Sequence, residues 1–301
     1  MNLLITGGSG LVGNRLTEML RQRGYRVSHL GRTRHEGEVS SFTWDIKKLN
    51  IDPGALTGTD AIIHLAGAGI AERRWTSQRK KEILESRTAS TRLLYHTLKK
   101  GGHRVRTLIA ASAIGYYGFE AAADTFSEGS PPGSDFLAKV TARWEEEVDR
   151  IGELGIRVVK IRTGIVLSKR GGALEEIMRP VKYYVGAPLG TGDQCMSWIH
   201  VDDLCGIYSL AISNSNLRGV FNGVAPAPIS NRDFTRAIAR ALGKPILLPP
   251  IPKFALRLLL GEMADLVLNG TKVSAQKILG TGFKFRFPTI DSALNDLLLD
   301  T

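Results

Sequence analysis

Near the start of the chain stands Thr6-Gly7-Gly8-Ser9-Gly10-Leu11-Val12-Gly13, and no other stretch restricts the fold as strongly. It follows a short apolar segment, Asn2–Thr6, and precedes a segment with helical spacing, residues 14–23, whose apolar positions are Leu16, Met19 and Leu20. A lone Gly-x-Gly-x-x-Gly is weak, because glycine is common in turns. Here it lies between strand and amphipathic helix, with a second strand ending about 18 residues beyond the last glycine, the context that a dinucleotide-binding turn requires. Gly7 permits the tight turn, Gly10 lets the backbone approach a pyrophosphate, and Gly13 allows close helix–sheet packing. The positive end of the helix then faces the diphosphate.

The rest of the first half repeats this alternation. Segments 25–30, 61–66, 105–111 and Arg157–Thr163 read as strands, and 79–100 and 136–154 as helices. Strands separated by helices of this length imply βαβ units. The expected fold class is α/β, a doubly wound parallel sheet with a smaller C-terminal substrate lobe. Residues 1–167 are expected to form the nucleotide-binding domain, with 200–225 returning to it. Residues 168–199 and 226–301 are assigned to the lobe. Residues 167–198 look irregular and glycine-rich. After Pro226 the prolines 245, 249, 250 and 252 precede an apolar helix at 254–260.

The end of the second strand selects the dinucleotide. An NAD site would carry Asp or Glu there for the adenosine ribose. This chain reads Leu30-Gly31-Arg32-Thr33-Arg34, with no carboxylate until Glu36. An arginine suits a 2′-phosphate through charge-assisted hydrogen bonds, so NADP is the expected cofactor. A solvated basic loop is the competing reading.

Charge enters the argument here. The chain has 301 residues, with 40 Lys+Arg against 29 Asp+Glu, a formal net charge of +11. Such a balance admits a nucleic-acid partner only if the basic residues cluster beside stacking aromatics. They are dispersed instead, so no nucleic acid is expected and a small-molecule substrate is. Two cysteines exclude a disulfide framework. No apolar run approaches the roughly 20 residues of a membrane span. Met1–Thr6 lacks the basic flank and cleavage site of a signal peptide. The expectation is a soluble cytoplasmic protein with no membrane partner; oligomeric state is open.

Several motifs together resemble the extended short-chain dehydrogenase/reductase superfamily. They are the glycine turn, Asp45, His64-Leu65-Ala66-Gly67, Ala111-Ser112-Ala113-Ile114-Gly115-Tyr116-Tyr117-Gly118, Arg162-Thr163-Gly164-Ile165-Val166-Leu167 and Trp198-Ile199-His200-Val201-Asp202-Asp203. Arg74-Trp75, Ser86-Arg87, Arg143-Trp144-Glu145, Gly171-Gly172-Ala173 and the segment 254–265 resemble its atypical epimerase-family subgroup, called NADP-dependent oxidoreductases. The resemblance covers residues 1–298. It implies a Rossmann fold and cofactor contacts at Gly7, Gly10, Leu11, Val12, Gly13, Gly31, Arg32, Leu65, Ala66, Glu82, Arg87 and Val166. It also points to a carbonyl or carbinol substrate, with nucleotide sugars suggested by fold-level analogy.

The resemblance breaks at the chemistry. Active members carry a serine and a Tyr-x-x-x-Lys helix, in which lysine lowers the tyrosine pKa. Ser112 stands where the serine is expected, but residues 135–144 contain no tyrosine. Tyr95 and Lys99 have the spacing on the wrong helix and read as an amphipathic face. The catalytic candidates are therefore Ser112 with Tyr116 or Tyr117; Lys139 or Arg143 could supply a cation instead. A dinucleotide-binding sensor or scaffold without turnover is the alternative function. His200, Asp202 and Asp203 have ligand-like spacing but read as a structural lock, so no metal is expected. His64 reads as a hydrogen-bonded pocket wall, Cys205 as core, and 143–147 as a surface helix with paired charges.

Overall fold

The computed structural model describes residues 1–34, 36–119 and 125–299. Its strands are β1 (Asn2–Thr6), β2 (Arg26–Gly31), β3 (Ser40–Asp45), β4 (Asn50–Ile51), β5 (Ala61–His64), β6 (Thr107–Ala113), β7 (Arg157–Thr163), β8 (Ile165–Leu167), β9 (Cys195–Met196), β10 (Trp198–His200), β11 (Gly219–Gly223) and β12 (Ile229–Ser230). The α-helices are α1 (Leu11–Gln22), α2 (Ser77–Lys99), α3 (Phe136–Gly152), α4 (Ala173–Lys182), α5 (Val201–Ser213), α6 (Asn231–Ala241), α7 (Lys253–Leu260), α8 (Asp265–Leu268), α9 (Gln276–Leu279) and α10 (Ile290–Leu298).

Leu3, Leu4 and Ile5 are all buried, as are Ala61, Ile62 and Ile63. A strand apolar on both faces belongs at the centre of a parallel sheet covered on both sides. The sheet runs β11-β7-β6-β5-β1-β2-β3-β4, parallel throughout except for the short β4 edge. Strand periodicity sends Leu3 and Ile5 to one face, where they meet Leu16 and Leu20 of α1 and Ile207 and Tyr208 of α5. Leu4 and Ile62 point to the other, against Leu93 and Leu94 of α2 and Trp144 of α3. The strand order reverses between β1 and β5, where a crevice opens at the carboxyl ends of the strands. This is the doubly wound arrangement expected.

Local boundaries moved where tertiary contacts decide them. Helix α1 begins at Leu11, ahead of the periodic residues, because Gly10 serves as its N-cap. Strand β6 extends to Ala113, pairing Ser112 with Arg162 of β7, so Ser112 lies within the sheet. The stretch expected to be irregular contains α4, with Pro180 in its last turn.

A second apolar cluster joins Leu167, Trp198, Phe234, Ile238 and Leu294, contributed by β8, β10, α6 and α10. Arg15 of α1 grips Asp202 through two hydrogen bonds, of 2.6 and 2.8 Å. Asp203 accepts from the backbone N–H groups of Arg286 and Phe287 at 2.8 and 3.0 Å. The acidic pair fastens the C-terminal chain to the sheet, and no group of three His, Cys, Asp or Glu among the described residues could hold a metal ion.

Candidate functional site

At the reversal point the glycine turn is shaped by what its residues lack. Gly7 has φ +70°, and a Cβ there would lie 3.0 Å from Ala66 N. A Cβ on Gly13 would strike Gly7 O and approach Gly8 Cα to 2.7 Å. The turn is closed by Gly10 N–H donating to Gly7 O at 3.0 Å. Helix α1 has no side-chain cap and no acidic residue in its first turn. Its first N–H groups, at Leu11, Val12 and Gly13, lack acceptors within the helix and lie at its positive end. That is a cradle for an anion, and the donors present fit a diphosphate.

The neighbouring strand ends complete the crevice. Thr6 Oγ1 accepts from the N–H groups of Leu65 and Ala66, both at 3.2 Å, binding the end of β1 to that of β5. Arg87 of α2 reaches under this junction: its Nη1 donates to Ala68 O at 3.1 Å, and a Cβ on Gly67 would lie 3.2 Å from its Cζ. Burial, with Arg79 nearby, pulls the Arg87 guanidinium down to about 10. No carboxylate lies within ion-pair distance of it among the described residues. An unneutralised, desolvated cation beside a crevice fits a ligand phosphate. Gly31 ends β2, and Arg32 follows it, exposed. Glu82 is exposed and pairs with Arg79 at 2.7 Å, chiefly Arg79 holding its carboxyl below the usual range. Val12, Leu65, Tyr116 and Val166 are partly buried on the rim of one core cluster, so three parts of the predicted cofactor set and one catalytic candidate converge there.

Beneath this rim lies a closed polar network. Ser112 Oγ donates to Glu145 Oε1 at 2.6 Å. Arg162 donates to both oxygens of Glu145, at 2.8 and 3.0 Å, and to the Tyr117 hydroxyl at 3.1 Å. The Tyr117 hydroxyl donates to Asn222 Oδ1 at 2.6 Å. Lys160 stands 3.4 Å from Glu145. Ser112 and Tyr117 are only 4% and 1% exposed, which places their hydroxyls in the floor of the crevice rather than in its mouth. Burial alone would push the Glu145 carboxyl up, yet Arg162, Ser112 and Lys160 together hold it below the usual range. Burial raises the Tyr117 phenol despite Arg162. Tyr116 differs: it is partly exposed, its ring lies 3.4 Å from the Arg162 guanidinium, and its hydroxyl bonds to no described residue.

The α3 residues facing Gly115 at the end of β6 are Leu137 and Thr141, four apart as a Tyr and a Lys would be, and neither titrates. Lys139 and Arg143 occupy the exposed face of α3, with Arg143 3.9 Å from Glu146. The reading of 143–147 as a paired surface helix is corrected at Glu145, which is 5% exposed. The signal for this network was present: Lys160 and Arg162 alternate on a strand that otherwise reads as buried, and two inward cations demand a buried carboxylate. His64 is also corrected. It is fully buried between Thr6 Oγ1 at 2.7 Å and Thr91 Oγ1 at 3.0 Å, and desolvation pulls its imidazole down to about 4. It joins β5 to α2 within the core and walls no pocket.

The crevice thus offers an anion cradle, two arginines suited to phosphates, an apolar rim and one available phenol. Comparison with known proteins agrees with that arrangement. Residues 3–222 match the NAD dependent epimerase/dehydratase family, and residues 251–297 match a domain of unknown function, DUF1731. The mouse epimerase family protein SDR39U1 is 34% identical over 302 residues, covering 99% of this chain and 100% of that protein. The epimerase family protein YfhF of Bacillus subtilis is 36% identical over 303 residues, covering 100% and 99%. The crystal structure of human epimerase family protein SDR39U1 (isoform 2) with NADPH superimposes with a TM-score of 0.90 at 31% identity, covering 100% of both chains.

Proposed function

The chain belongs to the NAD dependent epimerase/dehydratase family, and from that premise we propose that it is a cytoplasmic NADP(H)-dependent oxidoreductase or epimerase-like enzyme acting on a carbonyl or carbinol of a small molecule. The observation that carries this reading is the glycine cradle at an undecorated helix N-terminus, with Arg87 unneutralised beside it. In this reading Gly7, Gly10, Leu11, Val12 and Gly13 hold the diphosphate. Gly31 and Arg32 hold the adenosine end and its 2′-phosphate, where Glu82 also lies. Leu65, Ala66, Arg87 and Val166 line the path to the nicotinamide. Residues 1–167 with 200–225 form the cofactor domain, and 168–199 with 226–301 the substrate lobe.

When bound, the dinucleotide supplies a hydride acceptor or donor. Tyr116 is assigned the proton exchange with the substrate oxygen, since its hydroxyl is the one not already committed to a protein partner. Ser112 and Tyr117 act through Glu145 and Arg162 as positioning residues, holding the guanidinium against the Tyr116 ring. Nucleotide sugars form one arm of the substrate class and simple aldehydes and ketones the other. The test is fluorescence titration with NADPH and NADH, followed by NADPH oxidation against both arms. NADPH is expected to bind more tightly, and Tyr116→Phe to abolish turnover while leaving NADPH binding intact. Equal or tighter NADH binding would overturn the cofactor assignment.

A second reading is favoured by Leu137 and Thr141, which leave α3 without the usual acid/base pair: a dinucleotide sensor or scaffold without turnover. Tight NADPH binding with no oxidation by either arm would select it. Turnover abolished by Tyr116→Phe would eliminate it.

A further inference from the structure

Between Phe234 and Gly261 the chain carries five basic residues, Arg236, Arg240, Lys244, Lys253 and Arg257, and no acidic one. The same stretch bears much of the exposed apolar surface. Leu256 anchors α7 on Ala264 and Leu268, and Arg74 donates to the carbonyls of Leu258 and Leu259. The helix is therefore held firmly while Phe254, Leu258 and Leu259 remain 75%, 80% and 65% exposed. Leu247 and Leu248 precede it, at 69% and 45%. Lys244 Nζ donates to the Tyr184 hydroxyl at 2.6 Å and lies 4.2 Å from that ring. This contact joins the surface to Tyr183 and Val185, which are also exposed.

An apolar surface of this kind has a partner, because leaving so many large side chains in water is costly. Charge selects which. Lys182, Lys244 and Lys253 have no carboxylate within 4.0 Å among the described residues, and Arg257 has only Asp265 at 3.9 Å. A second copy docked by a two-fold axis would set this basic patch against itself. An anionic bilayer complements it at every level: leucine and phenylalanine enter the acyl boundary, tyrosines lie at the headgroups, and lysines meet anionic lipid. No described helix is long and apolar enough to cross a membrane. The expectation of no membrane partner weighed spanning segments only. We propose that the surface formed by α7, the 244–250 loop and residues 183–185 docks reversibly on an anionic lipid bilayer.

Co-sedimentation of the whole protein with vesicles tests this, using phosphatidylcholine alone and phosphatidylcholine mixed with phosphatidylglycerol, at low and high salt. The protein is expected on the anionic vesicles at low salt, and to leave them as salt rises. Phe254→Ser with Leu258→Ser should lower the partition coefficient by roughly tenfold or more, and Lys244→Glu with Lys253→Glu by a similar factor. Both pairs should keep the wild-type melting temperature and NADPH affinity, so failure of the cofactor reading would show separately. If the apolar pair proves unstable, the charge pair still decides. Three results would overturn the proposal: absence of binding to the mixed vesicles, equal binding to neutral ones, or stable variants that bind like wild type. Sedimentation velocity showing a dimer that Phe254→Ser with Leu258→Ser dissolves would also overturn it, in favour of a second copy.

Discussion

The two halves of the crevice are built on opposite principles. At the β1–β5 side, the turn and Arg87 leave N–H groups and a guanidinium without an anionic partner. At the β6–β7 side, Ser112, Glu145, Arg162, Tyr117 and Asn222 satisfy one another, with every charge paired. An open half has donors to give a ligand; a closed half has rigidity to give its neighbours. The comparison teaches that a motif residue's position in sequence does not assign its task. Ser112 stands in the expected place and spends its hydroxyl on Glu145.

The sharpest way to break this contrast is to unpair the closed half. Arg162→Met leaves Glu145 buried and uncompensated, and should cost about 3–5 kcal/mol in urea unfolding. Glu145→Leu combined with Arg162→Met should recover most of that loss. A double variant no more stable than the single one would show that the network's value lies beyond charge pairing. In the open half, Gly13→Ala pushes a methyl into Gly7 O and Gly8. NADPH affinity measured by fluorescence should fall roughly a hundredfold, about 3 kcal/mol.

Acid provides the next test. Desolvation pulls His64 down to about 4, below its unfolded value near 6.5. The unfolded chain therefore takes up this proton first. Stability is complete above pH 6.5 and declines as pH falls towards 4, by about 3 kcal/mol in all. His64→Gln should flatten that part of a stability-versus-pH curve; an unchanged slope would assign the acid sensitivity elsewhere. The smallest effect belongs to Arg32→Ala, expected to weaken NADPH about tenfold to thirtyfold, roughly 1.5–2 kcal/mol, and to leave NADH unchanged. A parallel loss for both dinucleotides would mean that Arg32 does not contact the 2′-phosphate.

Much of the open half was legible because its signals are local. Gly7, Gly10 and Gly13 carry their meaning in the absence of side chains, and the flanking periodicities place them between strand and helix. The apolar runs at β1 and β5 identify central strands for the same reason. Helix α4 escaped notice because Pro180 and the glycines around it obscure a short amphipathic pattern. The pairing of Glu145 with Arg162 was harder still. These residues are 17 positions apart on different elements, and Glu145 sits among charges that look solvated.

By itself, then, the sequence determined the fold class, the phosphate-binding turn and the absence of Tyr-x-x-x-Lys, all properties of residue type and short-range order. The tertiary structure alone decided which side chains are used up before a ligand arrives. Whether a serine, tyrosine or histidine is available depends on partners brought from distant elements into a low-dielectric interior. There an unpaired polar group is too costly to persist, so Ser112, Tyr117 and His64 found partners within the protein while Tyr116 and Arg87 face the crevice.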